Sequence, residues 1–133
     1  RKDIDMIEKI QRRATRMVPG LGALSYEERL RECCMTTLEQ RRERGDMIQV
    51  FKMLNGYISM DNECFFNFAS QRHDILTRYV ANESLVAEKC RLEIRKNFFT
   101  NRVVRSWNAL PLEVRSAESV NSFKNHYDDW VSH

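Results

Sequence analysis

Glycine and proline are scarce, four and two in 133 residues. A β-sandwich or barrel needs turn residues at short intervals, so this composition argues against that class and favours helices. No apolar run approaches the ~20 residues that a membrane-spanning helix requires, and no signal-peptide pattern opens the chain. Cysteine is present but poorly spaced for metal. Cys33 and Cys34 are adjacent, Cys64 and Cys90 stand alone, and His73, His126 and His133 are far apart. With no C-x-x-C pair and no H-x₃₋₅-H, no structural zinc is expected. Adjacent cysteines rarely bridge each other, so buried, reduced thiols are expected. Catalytic signatures are missing too: the chain has no G-x-S-x-G, no phosphate-binding glycine loop, and no cysteine beside a histidine and an orienting acid. Tyr127-Asp128-Asp129 has the look of a polymerase metal turn. Its context is helical, however, and His126 stands where the first aromatic would be, so it reads as a solvated acidic end. No catalysis, cofactor, metal or small-molecule substrate is expected of this segment.

What is present fits a folded domain with a charged surface: 42% hydrophobic, 10% aromatic and 31% charged residues. The length suits one domain over 1–133, with a helical half at 1–56, an irregular connection at 57–84, and a short strand plus two helices at 85–133. The opening Arg1-Lys2 reads as a piece of a longer chain.

The expected fold is mostly α, a small bundle of about five or six helices with a short β element. Ile7, Ile10, Ala14 and Met17 recur at helical spacing and are expected to face the core. Pro19-Gly20 stops that helix. Ser25-Tyr26-Glu27-Glu28 is a capping box that starts a second, short helix. Thr36 or Thr37, closed by Glu39 or Gln40, starts a third over Leu38 to Leu54, with Met47, Val50, Phe51 and Leu54 inward and Asn55-Gly56 as its stop. Cys64, Phe65 and Phe68 suggest a short apolar helix, and residues 75–80 a strand. Val86 to Ile94 alternates, with Cys90, Leu92 and Ile94 on one side, as a half-buried strand does. A helix from about Asn97 to Ala109 carries Phe99, Val103, Trp107 and Leu110. A last helix from Ser116 or Ser119 carries Val120, Phe123, Tyr127 and Trp130. Both tryptophans are expected to be buried.

The net charge is only +3, with a pI near 8.8. Local stripes therefore matter more than the total. Lys9, Arg12, Arg13 and Arg16 fall on nearly the opposite side from the apolar stripe of the first helix. Arg41, Arg42 and Arg44 load the first half of the third helix, where the helix dipole gives them no support. Arg95, Lys96, Arg102 and Arg105 interleave with Phe98 and Phe99. Each group is either solvated surface or a phosphate-contacting face, in which guanidinium groups meet phosphates and an exposed Phe98 stacks on a base.

Residues Ile7 to Tyr57, with Gln11-Arg12-Arg13-Ala14-Thr15, Leu24-Ser25-Tyr26-Glu27-Glu28-Arg29-Leu30 and Arg42-Glu43-Arg44-Gly45-Asp46 as the most specific strings, resemble the C-terminal region of endonuclease–reverse transcriptase polyproteins. These belong to non-LTR retrotransposons of the chicken-repeat and jockey-like clades. Phe98-Phe99, Arg102-Val103, Trp107-Asn108 and Leu110-Pro111 carry a second block of likeness, and Ser59 to Glu88 is the weakest stretch. The resemblance implies a non-catalytic accessory domain beyond the polymerase core, without the palm carboxylates, acting in the nucleus beside the upstream reverse-transcriptase domain. Its partner would be nucleic acid, RNA template or target DNA, held during target-primed reverse transcription by Lys9, Arg12, Arg13, Arg16, Arg41, Arg42, Arg44, Arg95, Lys96, Arg102 and Arg105. At Cys33-Cys34-Met35 the chain departs from the Gly-Leu-like turn of that family, and no Cys/His knuckle is present. Two other readings stand beside this one. The chain could be a protein-docking module that packs on the thumb or another subunit, which predicts a large exposed apolar patch and weak salt dependence. It could also be a domesticated fragment.

Overall fold

The computed structural model describes residues 2–59, 61–69 and 84–132. Seven α-helices and one two-stranded antiparallel β element lie among them, in two compact units, Arg1–Gly45 and Asp46–His133.

The first unit begins with α1 (Lys2–Arg16), whose first turn holds Asp3 and Asp5 and whose last holds Arg13 and Arg16. That order complements the helix dipole at both ends. Helix α2 (Tyr26–Glu32) starts at the capping box: Glu28 N–H donates to Ser25 Oγ (3.3 Å), and Ser25 N–H donates to Glu28 Oε2 (2.7 Å). It ends in a Schellman motif, in which Cys34 N–H donates to Arg31 O (3.0 Å) and Met35 N–H to Leu30 O (2.8 Å). Cys34 takes the left-handed position, with φ +50°. Helix α3 (Leu38–Leu54) starts on a box of Thr37 and Gln40 and ends on a second Schellman motif at Gly56, φ +71°. Its first turns belong to the first unit and the remainder to the second.

Polar groups join α1 to α2. Gln11 and Thr15 are buried on α1, and Tyr26 and Arg29 on α2. Gln11 Nε2 donates to Tyr26 Oη (3.0 Å) and to Thr36 O (3.0 Å). Tyr26 donates to Glu8 Oε1, and Glu8 Oε2 accepts the Leu38 N–H (3.0 Å) at the start of α3. Arg29 donates from Nε to Thr15 Oγ1 (3.3 Å) and from Nη1 to Leu24 O (2.5 Å). The expected burial of the α1 apolar stripe is therefore corrected. Because α2 engages the Glu8, Gln11 and Thr15 face, Ile7, Ile10 and Met17 are left 54%, 68% and 77% exposed.

The second unit holds the apolar core. Met47, Val50, Phe51 and Met53 of α3 meet Val103, Val104 and Trp107 of α5 (Phe99–Ala109) and Phe123 and Tyr127 of α7 (Val120–Ser132). Phe51 stacks on Phe123 with ring centroids 4.4 Å apart, and the Trp107 ring lies 6.1 Å from that of Phe123. Leu110 and Val114 close the core from around the one-turn α6 (Leu112–Arg115). A 3₁₀ turn (Asn62–Cys64) replaces the short apolar helix expected there, and Phe66 packs inward beyond it.

Strand β1 (Asn67–Phe68) pairs with β2 (Leu85–Val86), Asn67 opposite Val86 and Phe68 opposite Leu85. The strand expected over 86–94 is thus corrected to two residues. The backbone at and beyond β2 is held by α5 side chains. Asn108 exchanges two hydrogen bonds with the Leu85 backbone (3.0 and 2.8 Å), and Asn101 Oδ1 accepts the Glu88 N–H (2.9 Å). Residues Glu93–Lys96 then form a single turn, α4, and Leu92 and Ile94 face solvent. Trp107 is buried, 2% exposed, as expected. Trp130 is corrected: it is 41% exposed, at the outer end of α7 beyond Tyr127. The strand expected at 75–80 lies outside the described residues. The cysteines form no disulfide; Cys34 and Cys64 are exposed, and Cys33 and Cys90 half-buried, against the expectation that all are buried.

Candidate nucleic-acid interface

The excess positive charge belongs to the first unit. Residues 1–45 contain eleven Lys and Arg against eight Asp and Glu, a net of +3, which is the net charge of the whole chain. Residues 46–133 therefore balance, eleven against eleven.

On α1 the polar network fixes the helix by one side and turns the opposite side to solvent. Lys9, Arg13 and Arg16 are exposed there, and Arg12 is exposed at the edge of the network side. The Arg12 guanidinium lies over the Tyr26 ring, 4.6 Å from its centroid, and Arg29 lies 5.8 Å from the same ring. This cation–π contact holds the Arg12 guanidinium while the side chain stays exposed to an acceptor. Lys9, Arg13 and Arg16 make no ion pair among the described residues; Asp5, one turn before Lys9, does not close one. Burial, and then the hydrogen bond to the Glu8 carboxylate, push the Tyr26 phenol above its ordinary pKa, so the ring beneath Arg12 stays neutral at physiological pH.

On α3, Arg41 and Arg42 are exposed and make no ion pair among the described residues, whereas Arg44 is half-buried and engaged. These three belong to the same unit as the α1 cations.

In the second unit most of the candidate cations have acidic partners of their own. Arg95 donates to Glu88 Oε2 from Nε (3.1 Å) and Nη2 (2.6 Å), and its guanidinium sits 5.3 Å from the Phe98 ring centroid. Lys96 pairs with Glu93 at 2.5 Å, one turn away. Arg102 is held in a two-pronged pair with Asp46, Nε to Oδ2 and Nη2 to Oδ1, both 2.9 Å, and lies 5.4 Å from the Phe99 centroid. Of this group, only Arg105 is exposed with no ion pair among the described residues. Phe98 is half exposed and Phe99 packs against the core, so one ring of the pair is available for stacking.

Sequence reasoning missed two features of the first unit. The first is the Tyr26 platform under Arg12, because nothing local links residues fourteen apart. The second is an apolar groove of about 430 Å³ lined by Ile7, Ile10, Ala14 and Val18 on the α1 side and by Cys33, Met35 and Leu38 on the other. Among the described residues no group of three His, Cys, Asp or Glu side chains is placed to hold a metal ion, and no helix is long and apolar enough to cross a membrane. Comparison with protein-family models, with curated proteins and with solved structures finds no match for this chain.

Proposed function

We propose that this chain is a non-catalytic nucleic-acid-binding module, and that α1 is its principal contact element. The observation that carries the reading is the outer face of α1, where Lys9, Arg13 and Arg16 are exposed together, with Arg12 exposed at its edge and held by Tyr26, and no acid neutralising the other three among the described residues. Cations held close together repel one another, and a phosphate backbone relieves that repulsion while releasing its own condensed counterions. Arg41 and Arg42 extend the positive field of the same unit. Arg95, Lys96 and Arg102 are secondary contacts in this reading, because a phosphate must compete there with Glu88, Glu93 and Asp46. The likeness to retrotransposon polyproteins supplies the context: an RNA template or target DNA positioned beside an upstream reverse transcriptase.

The test is a binding titration of the chain against an RNA hairpin, duplex DNA and single strands, each at several salt concentrations. Replacing Arg12, Arg13 and Arg16 by Gln keeps helix propensity and leaves the polar network intact. Affinity should fall, and the log–log salt slope should shrink by roughly two to three, since each phosphate neutralised contributes about 0.7–0.9 to it. Unchanged affinity and slope in a folded triple variant would make the stripe a solvated surface.

A further inference from the structure

Independently of nucleic acid, the groove of the first unit has the features of a protein-docking site. Its floor is aliphatic: Ile7 and Ile10 are more than half exposed, beside Ala14, Met35 and Leu38. Helix register puts cations beside both of its walls, with one acid, Asp3, a turn before Ile7. Arg13 stands one turn on from Ile10 along α1. Arg41 and Arg42 stand one turn on from Leu38 along α3, on the same face of that helix. All three arginines are exposed without an ion pair among the described residues.

We propose that this groove receives an amphipathic helix from another protein, one with aliphatic anchors on one face and acidic residues on both flanks of that face. The argument for a helix is geometric. From Ile7 to Ala14 the floor runs seven residues along α1, about 10 Å or two turns, and Val18 continues it past the helix end; seven residues is the span over which a docked helix presents anchors at i, i+3 or i+4, and i+7. No strand occurs among the described residues of this unit, so no sheet edge offers backbone pairing to an extended peptide. The argument for acidic flanks is charge complementarity with Arg13 on one rim and Arg41 and Arg42 on the other. The same charges disfavour a second copy of this chain, since each copy would bring its own +3 unit to the contact.

The experiment uses the full 133-residue chain and two synthetic helical peptides. Both carry Leu at i, i+4, i+7 and i+11; one has Glu at the flanking positions and the other has Lys. The Glu peptide should bind in fluorescence anisotropy, and the Lys peptide about tenfold or more weaker. With isotope-labelled isoleucine methyl groups, the Glu peptide should shift Ile7 and Ile10 and leave Ile58 in place. The double variant Ile7→Gln, Ile10→Gln alters side chains that are already exposed, so its circular dichroism should be unchanged while peptide affinity drops about tenfold. Arg41→Gln with Arg42→Gln should weaken binding and flatten its salt dependence. Nucleic-acid affinity should survive the isoleucine variant, which separates this site from the α1 cationic face. Several results would overturn the proposal. These are no binding of the Glu peptide at millimolar concentration, equal binding of the Lys peptide, insensitivity to the isoleucine variant, concentration-dependent dimerisation that the isoleucine variant abolishes, and tighter binding to anionic phospholipid vesicles than to the peptide.

Discussion

Cys34→Gly should stabilise this protein. The chain ends two helices with the same hydrogen-bonded motif, once at Gly56 and once at Cys34. Gly56 sits at φ +71° and Cys34 at φ +50°, both in the left-handed region. A side chain there brings Cβ too near the following carbonyl, at roughly 1–2 kcal/mol for an L-residue. Glycine removes that penalty but loses more freedom on folding, which takes back roughly 0.4–1 kcal/mol. The net gain for Cys34→Gly is therefore about 0.5–1 kcal/mol. Gly56→Ala should lose a comparable amount, since a Cβ at Gly56 would meet no atom within 4 Å and only the backbone term remains. Cys34→Ala is the control, because it removes the thiol but keeps the left-handed strain. Urea unfolding under reducing conditions gives the free energies, and amide exchange at Met35, whose N–H closes the motif onto Leu30, reports on the site itself. Stabilisation by Ala equal to that by Gly would refute the backbone argument and place the effect in the sulfur. Destabilisation by Gly would show that the Cys34 side chain makes a contact worth more than the strain.

The two tryptophans should separate cleanly: Trp107→Ala should cost about 3–5 kcal/mol in chemical unfolding, and Trp130→Ala under about 1 kcal/mol, because only the first empties a packed core. Tyr26→Phe should cost about 1–2 kcal/mol, since it leaves Glu8 and Gln11 without the hydroxyl that joins them; hydrogen exchange along α1 should accelerate while α7 is unaffected. The raised phenol pKa means that the folded state holds its proton more tightly than the unfolded chain does, so stability should fall as pH rises from about 10 through the folded-state value. Far-ultraviolet circular dichroism across that window should show the loss in the parent and a smaller one in Tyr26→Phe. Arg102→Lys should cost about 1 kcal/mol by giving up the two-pronged pair with partly buried Asp46, whereas Arg105→Lys should change stability by less than about 0.5 kcal/mol.

What was legible in the sequence was what is written locally. The start of α2 follows from Ser25 with Glu28, and that of α3 from Thr36 or Thr37 with Glu39 or Gln40, of which the structure uses Thr37 with Gln40. The stop of α3 follows from Asn55-Gly56. Periodicity also picked the core faces of α5 and α7 correctly as far as Trp107 and Tyr127. It failed at α1 and at Trp130 for one reason: a stripe at helical spacing says which side is apolar, not whether anything covers it. The strand over 86–94 failed differently. Alternation there was produced by charged residues at every second position, while the backbone is held by Asn101 and Asn108, which no pattern within 86–94 reveals. The basic candidates divide on the same principle. Arg95 and Lys96 have acids seven and three residues away, but Arg102 meets Asp46 across 56 positions, and only the fold brings the two together.

The distribution of apolar burial gives α1 its meaning. Every member of the apolar core cluster lies in the second unit, while the first unit buries only Tyr26 and Leu30 among its described apolar residues and depends for cohesion on Glu8, Gln11, Thr15 and Arg29. A unit of this size buries too small a fraction of its surface for apolar contacts alone to order it. Whatever binds α1, by its cations or by its aliphatic groove, therefore adds its binding free energy to the ordering of that unit, at about 2.7 kcal/mol for a ligand at a hundred times its Kd. The two surfaces are adjacent on one helix, so occupation of either should protect the α1 amides and ease occupation of the other, unless both ligands require Arg13. Measuring peptide affinity with and without saturating RNA decides between those outcomes. Tighter binding means that the two ligands share the ordering of α1, and weaker binding means that they compete for its arginine rim.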